Sequence, residues 1–123
     1  MVEPFIAAGV LNLVWCAVHV FVGGPAVAHP LLRSQELGHA TKITQYYCWH
    51  LVSLTLGLTG LGFLAVGAGY GGAPLGVFVT VLSAGFALLG IALAPVQRSS
   101  YRVLPQGWLF VPVAALGLWG LLG

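Results

Sequence analysis

Apolar residues run in four long stretches, at positions 4–23, 44–69, 73–95 and 106–122, and the polar residues collect in the breaks between them. A helix needs roughly 20 apolar residues to cross a hydrocarbon core about 30 Å thick. The pattern therefore predicts an all-α polytopic membrane protein, a four-transmembrane-helix bundle forming one domain over residues 1–123. Helix breakers mark the ends: Gly23-Gly24-Pro25 is expected to close the first span, Gly69 to Pro74 to turn between the second and third, and Pro95 and Pro105 to bracket the last loop. Pro112 predicts a bend in the fourth helix, because it removes a backbone hydrogen bond and crowds the carbonyl of Trp108. Met1 to Pro4 carries Glu3 in place of a basic leader segment, so the first span is expected to be retained.

Inside the first two spans the polar residues recur at helical intervals. Asn12, Trp15 or Cys16, and His19 share one face; Tyr46, His50, Ser53, Gly57 and Gly60 share another. Both faces are expected to look inward, since an ionisable side chain turned to lipid at mid-bilayer costs about 2.5 kcal/mol or more. Small residues at Ser53, Gly57 and Gly60 suit a packing seam, because they let a neighbouring backbone come close.

Composition excludes a soluble fold: 59% of the chain is hydrophobic and 5% charged, against about a quarter charged for a soluble domain. All four cations, Arg33, Lys42, Arg98 and Arg102, lie in the first and third breaks. Cationic loops stay in the cytoplasm during insertion, so loops 24–43 and 96–105 are read as cytoplasmic and both termini as extracytoplasmic, in a cell inner membrane. The net charge of +2 reflects this topology and gives no support for nucleic-acid binding. The expected partners are the lipid bilayer and, as a homo-oligomer or a subunit of a larger membrane complex, other helices. The first loop is long enough for a short helix of its own around Pro30-Leu31-Leu32 and Leu37, lying in the interface with Arg33 and Lys42 towards anionic headgroups.

Candidate chemistry gathers around that loop. His19 and His50 sit at depths that differ by about 5 Å at a rise of 1.5 Å per residue, so they are expected to face each other. With Trp49, Tyr46, Asn12 and Ser53 they form a candidate ligand-binding cluster; with Cys16, Cys48, His29 and His39 they form a candidate donor set for haem or a transition metal. Three readings stay open: histidines that only tie helix ends together, a site for a small molecule or a lipid or quinone-like headgroup, and a haem or metal centre in electron transfer or metal handling. Bis-imidazole haem ligation needs backbones about 12 Å or more apart, against 8 to 10 Å for helices joined by a hairpin. Cys16 and Cys48 form no CxxC pair, and no structural disulfide is expected. Catalytic machinery is not recognisable: Cys48 and His50 point about 200° apart on a helix, and no Asp or Glu lies inside a span.

The pattern His19-x-x-x-Gly23-Gly24, then Pro30-Leu31-Leu32, then Trp49-His50-x-x-Ser53 resembles a group of small uncharacterised bacterial membrane proteins with four spans, a His before Gly-Gly at the end of the first and a Trp-His pair opening the second. The resemblance covers roughly residues 10 to 60. It implies the four-span fold and singles out His19, Trp49 and His50, and it implies no activity. Relatives in that group often carry an acidic residue directly after the glycine pair, where this chain has Pro25.

Overall fold

A computed structural model describes all residues 1–123. Its helices are α1 (Glu3–Phe21), a π-helical segment (Gly24–Ala28) leading directly into α2 (His29–Arg33), α3 (His39–Gly67), α4 (Gly72–Val96) and α5 (Gln106–Leu122). The four long helices run up and down in a ring, with α1 against α3 and α5, and α4 against α5 and α3. This is the four-helix bundle expected from the apolar pattern. Three of the helical stretches are long and apolar enough to cross a membrane, and α5 is a shorter apolar helix of 17 residues.

The first break is not the loop that its Gly-Gly-Pro sequence predicts. Val22 N–H still bonds Val18 O and Ala26 N–H bonds Val22 O, and Pro25 sits in the first turn of the π segment, where its missing N–H is tolerated. The break therefore widens the helix without ending it, and Glu3 to Arg33 forms one helical stretch of 31 residues. At the other side α3 begins at His39, five residues before the apolar pattern starts, because His39, Thr41 and Lys42 are helical without being apolar. The expected loop 24–43 shrinks to 34–38. Lys42 does not turn to headgroups as expected; its Nζ donates to Ser34 O at 3.0 Å and Leu32 O at 3.5 Å, closing the carbonyl end of α2.

The turn from α3 to α4 is made by glycines that need a left-handed backbone. Gly69 has φ +90°, Tyr70 N–H bonds Ala65 O and Gly69 N–H bonds Val66 O, the paired bonds that close a helix end. Gly71 and Gly72, at φ +74° and +57°, complete the reversal.

Burial is arranged for lipid. Only 23 of 123 residues are buried, while Leu54, Leu58, Val81 and Leu88 stand at 59% to 70% exposure. Such a continuous apolar exterior suits a membrane and no aqueous surface. The interior is small and tight: Phe63 and Val113 are fully buried, with Phe5, Leu56 and Val79 around them. Four polar side chains, Asn12, Thr59, Thr80 and Ser83, share this core. Thr59 and Ser83 return their hydroxyl protons to the carbonyls of Thr55 and Val79 on their own helices, so they need no partner from elsewhere.

A histidine–tryptophan slot and hydrogen-bond ladder between α1 and α3

The α1 face predicted from spacing is the one that meets α3. Gly9, Asn12, Cys16, His19 and Gly23 follow each other at intervals of three and four, the spacing that keeps one stripe against an antiparallel neighbour. At the far end from the cationic loops the backbones touch: a Cβ on Gly9 would lie 2.9 Å from Gly60 O. From there three α1 side chains reach three α3 carbonyls in order. Asn12 Nδ2 donates to Leu56 O at 2.7 Å, Cys16 Sγ to Ser53 O at 3.5 Å, and His19 Nε2 pairs with Trp49 O at 3.1 Å. Donors four and three residues apart on α1 thus meet acceptors three and four residues apart on α3. Interhelical bonds of this kind are worth about 0.6 kcal/mol each in a membrane.

The last rung is also a stacking site. The His19 ring lies flat on Trp49 with centroids 3.9 Å apart and planes 18° from parallel. Gly23, one turn further along the helical stretch that continues past α1, leaves room for the other end of the indole: a Cβ there would come within 2.8 Å of the ring. His19 and Gly23 therefore form a slot that Trp49 fills. Because a carbonyl can only accept, His19 Nε2 carries the proton and Nδ1 is the free acceptor.

Of the expected α3 stripe, Ser53, Gly57 and Gly60 face α1. Trp49 and Leu56 join them there through their carbonyls, whereas His50 is exposed beside the seam. His19 and His50, expected to face each other, have different hydrogen-bond partners: His19 bonds Trp49 O, and His50 Nδ1 lies 3.4 Å from Ser53 Oγ. The Tyr46 ring stands edge-on to His50 at 4.6 Å, with planes 84° apart. Ser53 Oγ lies 3.3 Å from Trp49 O and 3.4 Å from His50 Nδ1, and in either tautomer the other ring nitrogen of His50, Nε2, has no partner. Both contacts are long and weaker than the Asn12 and His19 rungs.

The metal set is not assembled. No three of the histidines, cysteines and carboxylates lie close enough to hold one ion. His29 and His39 are exposed at the starts of α2 and α3, Cys48 is exposed on α3, and Cys16 is committed to the Ser53 carbonyl. Haem ligation through His19 Nε2 would first have to break the bond to Trp49. Both cysteines are free thiols.

Two participants carried no signal strong enough to be singled out as site residues. Trp15, paired with Cys16 in the sequence stripe, donates its indole N–H to Leu109 O at 2.8 Å and so ties α1 to α5. That carbonyl neighbours the one at Trp108 that Pro112 leaves without a helical donor. Gly23 is legible as a helix breaker and as part of the His19-x-x-x-Gly23-Gly24 pattern; its use as one wall of the tryptophan slot depends on α3. Comparison with protein-family models, curated proteins and solved structures finds no match for this chain.

Proposed function

We propose that the protein is a non-catalytic membrane module, a binding or accessory subunit, that engages its partner through the His50–Tyr46 edge of α3. The observation that supports this reading is the division of labour among the histidines. His19 is committed to the helix interface, while His50 is exposed, held by Ser53 and Tyr46, and carries a free ring nitrogen. An oriented, unpaired imidazole beside a phenol at a bundle surface suits a hydrogen-bonding group of a neighbouring subunit or a small-molecule headgroup. In this reading the protein lies in a cell inner membrane with its cationic loops in the cytoplasm and its termini outside. A phosphatase fused to the C-terminus should then be active, and an inactive fusion with a bright cytoplasm-only reporter at the same place reverses the orientation.

The functional test separates the two histidines. In protein purified from native membranes, His50→Ala should lose whatever subunit or small molecule co-purifies, with an unchanged melting temperature, and His19→Ala should lower the melting temperature first. A wild-type preparation with one haem or one metal ion per chain, lost in both variants, overturns the proposal in favour of a redox or metal protein.

A further inference from the structure

On the other side of α3, away from the His50 edge, the bundle has a lateral cleft of about 350 Å³. Its walls are Leu51, Val52 and Thr55 from α3 and Leu89 and Leu93 from α4, with Gln106 at the mouth where α5 begins. The Phe86 and Phe110 rings, edge-on at 5.3 Å, form its inner end. Thr55 turns its hydroxyl to Leu51 O at 2.6 Å, so the wall presents no free donor. From Leu93 to Phe86 the cleft follows α4 for about 10 Å at 1.5 Å per residue, most of the depth of one leaflet of a 30 Å core.

The mouth of this cleft is lined by Leu104 and Gln106, at the end of the connection that carries Arg98 and Arg102. The same end of the bundle holds Arg33 and Lys42, against a single carboxylate, Glu36, in the other loop. Arg98 shows a second peculiarity. Its φ is +53°, and Ser99 N–H bonds Ala94 O while Arg98 N–H bonds Pro95 O. This is the helix ending that Gly69 makes for α3, with arginine in the position where glycine costs nothing. The chain has 18 glycines and uses glycine at its three other left-handed positions. An unfavourable backbone retained at one residue points to a use for its side chain.

From the apolar cleft, the cationic connection that ends at its mouth and the arginine held at a glycine position, we infer that the α3–α4–α5 cleft binds an anionic phospholipid, one acyl chain between Val52 and Leu89 and the headgroup phosphate at Arg98 and Arg102. The α5 N-terminus, which has no side-chain cap, adds unpaired N–H groups at the same level. This site is independent of the His50 edge.

The test is native mass spectrometry of the detergent-purified full chain with equal amounts of phosphatidylglycerol and phosphatidylcholine. Wild type should retain phosphatidylglycerol preferentially, and Arg98→Gly and Arg102→Gln should each cut that preference by about five-fold, the effect of one cation near a lipid surface. Arg98→Lys should keep it. Val52→Trp, which fills the cleft, should lose both lipids, and inorganic phosphate without a chain should not compete. Arg98→Gly also relaxes the backbone, so its melting temperature in zwitterionic detergent should not fall, which separates lost recognition from lost folding. Equal retention of the two lipids by wild type, or undiminished phosphatidylglycerol binding by Val52→Trp, overturns the inference.

Discussion

The two long seams of the bundle hold their helices together by different means. Along α1 and α3, side chains bridge the gap: an amide, a thiol and an imidazole donate to successive carbonyls, and an indole fills a slot. Along α4 and α5 no side-chain hydrogen bond crosses; the Phe86 and Phe110 rings meet edge-on, and the backbones themselves come into contact. A Cβ on Gly90 would stand 2.6 Å from Gly107 Cα, and one on Gly107 would stand 2.6 Å from Ile91 N. Further along, Gly117 accommodates Thr80 and Phe63, and Gly76 faces Leu121. In lipid, burying apolar surface between helices gains little, so association comes from close packing or from interhelical hydrogen bonds. The α1–α3 seam adds hydrogen bonds to a close approach at Gly9 and Gly60, while the α4–α5 seam relies on close packing. Packing without side chains has no graded way to loosen, whereas a ladder can lose one rung and keep the others.

The sharpest way to break the contrast is therefore Gly107→Ala. The added methyl would meet Ile91 N, Gly90 C and Ala87 O at 2.6 to 2.8 Å, all main-chain atoms of one helix. Since backbone cannot swing aside, α4 and α5 must part, at a cost of about 3 kcal/mol. Thermal unfolding in detergent should show it as the largest loss of any single-methyl change in the bundle. An unchanged melting temperature would mean the seam is not closed as described.

The ladder should fail more gently. His19→Ala removes one interhelical bond and one aromatic stack, about 1 to 2 kcal/mol together, and frees Trp49 from its slot. Gly23→Leu attacks the same slot from the other wall and should cost a similar amount. If the two act through Trp49, the double variant loses less than the sum of the two, because they share one partner. Full additivity in a double-mutant cycle would separate the glycine from the stack.

Asn12→Ala is the milder rung. It gives up the 2.7 Å bond to Leu56 O, but Asn12 is fully buried and its Oδ1 has no partner, so the same change also removes a desolvated acceptor. The two effects oppose, and the net loss should stay within about 1 kcal/mol despite the complete burial of the side chain. A loss well above that would show that Oδ1 is satisfied in the membrane, by a buried water.

What could be read from the sequence follows the same division. The third and fourth spans, expected at 73–95 and 106–122, match α4 and α5 to within a residue, because there apolarity and helicity coincide. They part company in the first connection: α3 starts in a polar segment, and a proline after two glycines is absorbed by a wider turn. The α1 donors were legible because donors are side chains with a spacing. Their acceptors were not, since every residue has a carbonyl and sequence does not mark which ones a neighbour will reach. The expected α3 stripe is right at Ser53, Gly57 and Gly60 and departs at its start, where polarity leads to Tyr46 and His50 while the contacts are made by Trp49 and, further along, Leu56. For the same reason Gly90 and Gly107 give no hint of pairing, although their backbones meet.

His50→Ala should have the smallest effect on stability, and that is its value. His50 is exposed; its link to Ser53 is a 3.4 Å contact within one helix, and its contact with Tyr46 also joins residues of α3 alone. Removing it leaves every rung between α1 and α3 in place, and substitutions away from such features stay within about 0.5 kcal/mol. Alanine also favours the helix, which offsets part of the lost local contact. His19→Ala and His50→Ala thus replace the same side chain at similar depth on facing helices, with unequal expected costs. Melting curves for the pair, recorded in the same detergent, decide it. Equal losses would place His50 inside the α1–α3 seam after all and remove the exposed edge on which its binding role depends.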